Sequence, residues 1–583
     1  MSWTLKEKYR DLLSRESGCR KRAWNGRPAV CLAYPNTYRA GMSNLGFQTV
    51  FALLNRDERF VCERTFLPDP GDEPMFVSGS RPLLSLESQK RLTAFHVVAF
   101  SVSFENDYPN ILKMLTLAGI PLLARERDHR HPLILGGGIS ITLNPEPLCD
   151  FFDLFLLGEA EEILPEWVRR YEVMIRSGLS REESLFALQR DLEGAYVPAL
   201  YDVSYLEDQR IRGRQAADAV LPSRIKKGWI KEIDGFLTEQ EIVAADTELG
   251  TMHLTEVSRG CRRGCRFCAA GFVYRPARFR GESVLQASIQ RGLTSHKKIG
   301  LVGTAVSDHP DLKRICERIL DQGGKVAIGS LRLDRLDARM LSLLRAGGVE
   351  TVALAPEAGS QRLRDVIRKG FNEGQILDAV RGIVDHGILN IRLYFMVGLP
   401  TETDADIDAL IALVTDIKRH ALASAAGKKP FRRLTLSLNQ FIPKAATPFQ
   451  WRPLESVRSV QNKIRRIEKA FRRDPTIHCL HDLPKWNYVQ ALLSLGDRRV
   501  GKVLLSVHEG GGNWSRALKN AEPHPDFYVY RPKDPTEILP WDFIDHGVSR
   551  AFLLEEDQAA EAIARGGAAP LSPFVFETAE NGL

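Results

Sequence analysis

Three cysteines stand within eight positions in "SRGCRRGCRFCAAGF": Cys261, Cys265 and Cys268. With nine cysteines in 583 residues, a chance C-x3-C-x2-C is expected on the order of 0.002 times. The spacing therefore asks for a chemical reason. A disulfide framework fits poorly, because the count is odd and the other six cysteines are scattered. A zinc site of Cys3His type is one reading, with Cys316, Cys479 or a histidine as fourth ligand. An iron–sulfur cube is another; it normally takes four thiolates. Three thiolates leave one iron with open coordination, where a substrate or cofactor can bind. The neighbouring Arg259, Arg262, Arg263 and Arg266 would favour thiolates and offset the cluster's charge. They read equally well as a solvated face.

The elements that must position this loop come from alternating patterns. From about Met252, strand-like runs recur at "MHLTEVS", "KIGLVGT", "KVAIGSLRL", "TVALAPEAG", "LNIRLYFMVGLP" and "RLTLSLNQFIP", with helical stretches between them. Six βα repeats are too few for an eight-fold barrel and predict a partial, TIM-type barrel with its site at the carboxyl ends of the strands. An earlier alternation, with strands at "PAVCLAY", "HVVAFSVSF", "PLILGGGIS" and "FDLFLLGEA", predicts a doubly wound, Rossmann-like parallel sheet. Ligands of such sheets sit at the strand ends, here the loops 35–46, 101–107, 136–144 and 158–162. The α/β organisation expected is a lead over 1–27, an α/β domain over 28–195, a connector over 196–245, the barrel over 246–455 and a mainly helical region over 456–583. "RIRGR" in the connector reads as a solvated hairpin.

Bulk properties bound the function. At 583 residues, several domains are expected. The composition is globular, 44% hydrophobic and 26% charged. A net charge of +7, from 80 basic and 73 acidic residues, permits an anionic substrate without requiring nucleic acid. No apolar run is long enough to span a bilayer, and the first residues lack a signal-peptide core. Scattered single cysteines fit a reducing compartment, so a cytoplasmic enzyme is expected.

The stretch "TEVSRGCRRGCRFC" resembles the radical SAM superfamily, whose hallmark is C-x3-C-x2-C in a loop after the first barrel strand. Phe267 fills the aromatic position before the last cysteine. The resemblance implies a [4Fe–4S] cluster on Cys261, Cys265 and Cys268, whose fourth iron chelates S-adenosylmethionine. It implies one-electron cleavage of that cofactor to a 5′-deoxyadenosyl radical, with a flavodoxin or ferredoxin type reductant as partner. Later strand ends agree with it. Gly303 and Thr304 fall where the family binds the methionine amino group. Ser330 and Arg332 fall where it contacts the ribose or carboxylate. Glu357 is placed to receive a cofactor polar group, and Met396 and Val397 would lie near adenine. Each could equally finish a strand or form a local pair.

"LILGGGISITLNPEPLCDFFDLFLLGEAEE" is similar to the end of the B12-binding-type domain that precedes the barrel in many cobalamin-dependent members of this superfamily. Gly136, Gly137, Gly138, Ser140, Thr142, Glu146, Gly158 and Glu159 fill its positions, and glycines there would let a flat macrocycle approach the backbone. The loop "PNTYRAGMSNLG" carries no histidine to ligate cobalt, so a B12-type fold without B12 stays open. Asn36, Thr37 and Tyr38 would face the junction of the two domains. The domain order implies a largely uncharacterised bacterial and archaeal subgroup, and cobalamin-dependent C-methylation of an unactivated carbon. Radical cyclisation, rearrangement or coupling without cobalamin, and modification of a nucleic acid, are the alternatives. No residue is assigned a catalytic role, and no substrate is named.

Overall fold

The structure is a computed structural model that describes residues 2–19, 21–77, 82–244, 247–250, 252–329, 331–425 and 431–567. The chain divides into two units, and both are discontinuous. The first takes 1–252, 490–529 and 536–547; the second takes 253–489, 530–535 and 548–583.

In the first unit, six strands form one sheet: β1 Ala29–Tyr34, β2 Val61–Phe66, β3 Val97–Ser101, β4 Leu133–Gly137, β5 Leu154–Leu156 and β6 Ala195–Tyr196. Their order is β2-β1-β3-β4-β5-β6. The first five are parallel and β6 runs antiparallel to β5. Every residue of β1 and β2 is buried, as in sheets covered on both faces. Apolar residues explain β1, but β2 reads "VCERTF" and was not among the expected strands. Its charges survive burial because they are paired. Arg64 donates to Glu16 at 2.7 Å and to Glu87 at 2.6 Å, while Glu63 accepts from Trp24 at 2.7 Å and from Ser88 at 2.6 Å. The helices Leu45–Arg56 and Ala160–Ser177 bury Phe47, Phe51 and Trp167 in the core of this unit.

A returning segment completes the sheet's surroundings. The Asn144 amide donates to the carbonyls of Ser494 at 3.0 Å and Gly496 at 2.8 Å. Arg498 donates to Glu146 at 2.9 Å, and the Tyr196 hydroxyl donates to the same carboxylate at 2.5 Å. The expected hairpin is present as Tyr201–Tyr205 paired with Ile211–Ala216. It is less solvated than its charges imply: the Arg214 guanidinium lies 3.5 Å from the Phe543 ring centre and 4.1 Å from that of Tyr201.

The second unit holds β7 His253–Arg259, β8 Arg278–Phe279, β9 Lys298–Gly303, β10 Lys325–Ile328, β11 Thr351–Glu357, β12 Asn390–Val397, β13 Arg433–Gln440 and β14 Ile477–His481. Two ladders form, β8-β7-β9-β10 and β11-β12-β13-β14, and the Leu331 N–H to Ala353 O bond at 3.4 Å joins them. All pairings are parallel except β7 with β8. The six expected strands are all present in chain order. A further strand, β14, lies in the stretch read as helical. Helices follow the strands; Glu373–Asp385, for example, starts from Asn372 with a capping box to Gln375. Side chains alternate along β11, β12 and β13. In β12, Ile391, Leu393, Phe395 and Val397 enter the core beneath the helices, while Arg392, Tyr394 and Met396 face the concave side. The apolar row on each strand is therefore what holds the helical layer, at roughly 1.5–3 kcal/mol per fully buried side chain.

Candidate active site

The loop that carries the three cysteines leaves the carboxyl end of β7 through Gly260, whose φ is +80°. A Cβ there would lie 2.1 Å from the Tyr274 carbonyl oxygen, so the turn requires glycine. Cys261, Cys265 and Cys268 are all half-buried free thiols. The Arg263 N–H donates to Cys261 Sγ at 3.4 Å, and Cys268 caps the short helix Ala269–Val273. Burial, then the neighbouring Cys265, pushes the Cys268 thiol up to about 12. Burial also raises Cys261, against the pull of the Arg263 N–H. A bound cation inverts that preference by favouring thiolates. Among the described residues no three His, Cys, Asp or Glu side chains form a group able to hold a single metal ion. A zinc ion needs its ligands converging within about 2.3 Å of one centre, whereas a cube takes one thiolate at each corner iron. Three cysteine thiols on one loop are the donor chemistry that such a cube takes.

The arginines around the cysteines differ from one another. Arg262 is exposed, its guanidinium 5.0 Å from the centre of the Phe279 ring. Arg259 and Arg280 grip Glu256 at 2.9 and 2.6 Å. Burial works to raise the Glu256 carboxyl, but the two guanidinium groups outweigh it and hold it below its ordinary range. Arg266, between two of the cysteines, is buried. It donates to Glu556 at 2.9 Å and to the carbonyls of Asp365 and Val366 at 3.1 and 2.6 Å. The solvated-face reading fails for Arg259 and Arg266, which are themselves buried and paired with carboxylates. Arg263 reaches Asp334 at 3.0 Å.

The expected strand-end residues are distributed around this loop. Gly303 closes β9, half-buried, and Thr304 is exposed just beyond it. Ser330 lies outside the described residues. Arg332 pairs with Asp334 at 3.0 Å, and its N–H donates to Ser307 at 2.9 Å. Phe267 and Met396 both pack against the apolar cluster that includes Ala358, Leu399, Phe441 and Phe449. Val397 instead points into the main core, so only its backbone borders the concave side. Glu357 ends β11 with φ +66°, a left-handed conformation that costs a non-glycine residue energy. Its carboxylate accepts from Lys369 Nζ at 3.0 Å. Lys369 is a residue that sequence reasoning missed. Burial works to lower it, yet Glu357 and then the Cys265 thiol raise it above its ordinary value. Its ammonium lies 5.9 Å from the Phe267 ring centre. The sequence signal available was only a basic residue at a helix end, "VIRKG".

In the first unit, most expected cofactor contacts are engaged in the fold. Gly138 has φ +112°, and a Cβ would meet the Val102 carbonyl at 2.3 Å. Ser140 donates to that same carbonyl at 2.9 Å. Gly137 pairs with Ser101 across the sheet. Thr142 accepts from the Gly158 N–H at 3.1 Å, and Glu159 accepts from the Ile230 N–H at 3.0 Å. Tyr38 donates to Glu16 at 2.6 Å, and Thr37 takes the Asn36 carbonyl oxygen on its N–H at 2.8 Å. What the strand ends do leave open is polar: Asn36 donates to Asp107 at 2.9 Å, and Asn44 donates to Ser103 at 3.1 Å. Burial pushes the Asp107 carboxyl up to about 6, against the amide of Asn36.

Comparison with known proteins bears on both units. The family model described as "Radical SAM superfamily" matches residues 255–414, and that described as "Radical SAM proteins, N-terminal" matches 46–198. An uncharacterized protein of Methanocaldococcus jannaschii is 29% identical over 477 residues, 82% of this chain and 90% of that protein. An uncharacterized methyltransferase of Pyrococcus horikoshii is 25% identical over 288 residues, 48% of this chain and 56% of that protein. Among solved structures, the cobalamin-dependent S-adenosylmethionine radical enzyme OxsB, with aqua-cobalamin and S-adenosylmethionine bound, is 14% identical. That match covers 93% of this chain and 80% of OxsB at a TM-score of 0.45. The radical S-adenosylmethionine methyltransferase TsrM of Kitasatospora setae is also 14% identical, covering 70% and 72% at a TM-score of 0.44. The three-cysteine loop at the end of the first barrel strand falls inside the matched span 255–414, and on those residues the chain belongs to the radical SAM superfamily of enzymes.

Proposed function

We propose that the chain holds a [4Fe–4S] cluster on Cys261, Cys265 and Cys268, binds S-adenosylmethionine at the open iron, and methylates an unactivated carbon with cobalamin in its N-terminal unit. The observation that carries the cluster is the thiol loop itself: three half-buried thiols at a strand end, with the arginine between two of them locked into the fold. When bound, the cluster and S-adenosylmethionine supply one-electron chemistry able to abstract a hydrogen from carbon, and cobalamin supplies a transferable methyl group.

The protein's own residues bind, orient and exclude water. Phe267 and Met396 offer an apolar surface for adenine. Gly303 and Thr304 offer backbone and hydroxyl groups at the end of β9. Arg332 and the Lys369–Glu357 pair offer opposite charges for the polar groups of an amino acid. In the N-terminal unit, Asn36, Ser103 and Asp107 form the polar edge that cobalamin would meet. Gly137 and Gly138 would approach it by backbone, since Ser140, Thr142 and Glu159 are engaged elsewhere. The loop 35–46 has no histidine, so no imidazole from it would reach cobalt.

Anaerobic purification with cluster reconstitution and added hydroxocobalamin tests the reading. Four irons per chain, bound cobalt and release of 5′-deoxyadenosine are expected, and Cys265→Ala should lose the iron-dependent absorbance. A colourless, zinc-loaded protein that leaves S-adenosylmethionine intact would sink it. Cluster and cleavage without cobalt would leave radical rearrangement or coupling in place of methylation.

A further inference from the structure

The concave face of the barrel unit carries polar side chains that the fold itself does not use. Register aligns Ala353, Arg392, Thr435 and His478 in one row across β11 to β14. Two residues further along, Tyr394 and Ser437 stand side by side. Their sequence neighbours are the apolar residues of the core, so the alternation turns this set away from the helices. Arg392 and His478 are exposed, and Thr435, Tyr394 and Ser437 are half-buried. Among the described residues, none of these five polar side chains makes a hydrogen bond or an ion pair.

The arginines near the cysteine loop differ. Arg259, Arg263, Arg266 and Arg332 all have carboxylate partners. The carboxylate on the concave side of β11, Glu357, is bound to Lys369. The interior of a closed βα barrel is filled with bulky branched side chains; here Arg392 is flanked by alanine and threonine, with histidine one strand beyond. An unpaired guanidinium fork beside a hydroxyl is a donor set for an oxyanion.

We propose that Arg392 and Thr435 bind an anionic group of the substrate, a phosphate or a carboxylate, on the concave face of the barrel. This deepens the proposed function by naming a substrate class, and rests on it only in calling the ligand a substrate. Arg392 stands four residues before Met396, about 13 Å along an extended strand. The anion is thus held well below the strand ends, and the substrate's reacting carbon extends from it toward the cysteine loop.

The test is calorimetric titration of the reconstituted full chain with inorganic phosphate and, separately, with acetate. Saturable binding of at least one anion is expected. Arg392→Ala should weaken it about tenfold to a hundredfold, Arg392→Lys should retain most of it, and Thr435→Val should weaken it several-fold. Preference for phosphate or for acetate identifies which anion the substrate carries. The inference is overturned if the wild type binds neither anion, or if Arg392→Ala binds as the wild type does. Iron content, read on the same samples, separates the two readings. A chain without a cluster whose anion binding still depends on Arg392 would lose the proposed function and keep this site. A chain with a full cluster and no anion binding would do the reverse.

Discussion

Asp107 ends the third strand's loop as a buried carboxyl whose donors are neutral amides, and burial lifts it to about 6. A raised carboxyl takes up protons in the folded state between the ordinary 3.8 and about 6, so folding stability falls as pH rises through that window. Asp107→Asn should therefore stabilise the N-terminal unit at pH 7, by at most about 3 kcal/mol, and leave it unchanged near pH 3.5. Denaturant midpoints at the two pH values check this; equal shifts at both would refute it. Lys369 behaves in the opposite sense. Its raised value means that its contribution is complete below 10.5 and is lost as pH rises further. Lys369→Met leaves Glu357 unpaired in a strained backbone and should cost about 3 kcal/mol in the barrel unit, read as a lower urea midpoint. The cysteines were legible because their spacing is improbable and chemically specific. Lys369 was not, since its partner Glu357 is twelve residues away and only the positive φ at the strand end brings them together. Ser140, Thr142 and Glu159 were legible as polar residues at glycine-rich turns, but sequence cannot tell a side chain that binds the backbone from one that faces a ligand.

The helix Arg550–Ala564 acts as a strut for the cysteine loop. Its Glu556 accepts from both Arg266 and Arg368, and its Asp557 accepts from Arg452 at 2.7 Å. Glu556→Gln keeps the shape and removes the charge, so the buried Arg266 loses its counter-ion. We expect reconstituted iron to leave this variant several-fold faster under a chelator, with the thiols untouched; an unchanged loss rate would show that the strut is dispensable. Strands with apolar alternation were readable throughout the barrel. β2 and β14 escaped for a shared reason. The first carries charges neutralised by partners far away in sequence, and the second, "IHCLH", presents His478 and Leu480 to the concave side while His481 reaches Glu468 of a neighbouring helix. A strand whose polar residues are satisfied only in three dimensions has no periodic signal in one. Helix Val457–Phe471 was legible because its basic residues all fall on the face opposite Val460, Ile464 and Ile467, with the exception of the buried stem of Lys463.

For the whole molecule, the discontinuous first unit is the feature with the widest reach. The Asn144 NH2 group finds its acceptors at Ser494 and Gly496, and Glu146 accepts from the Arg498 guanidinium, so a chain ending at 489 orphans the first and leaves the second without that counter-ion. Each orphaned buried group costs about 1–3 kcal/mol, and the apolar contacts of helix Val500–Glu509 go as well. Limited proteolysis of such a truncation should cut within 28–200 under conditions that spare the intact chain; equal resistance would show that the first unit closes without its returning segment. The same connectivity sets an order of events during synthesis. Residues 1–252 leave the ribosome first, but the stretch that completes them follows roughly 240 residues later, a delay of about 12–50 s at ~5–20 residues per second. The barrel, whose strands all lie within 253–481, has its sheet in hand before the N-terminal sheet has its last partners. The sheet made first is thus surrounded only after the barrel's sheet is assembled, and a nascent chain paused near residue 489 would carry an assembled barrel sheet behind an N-terminal unit that still lacks residues 490–529 and 536–547.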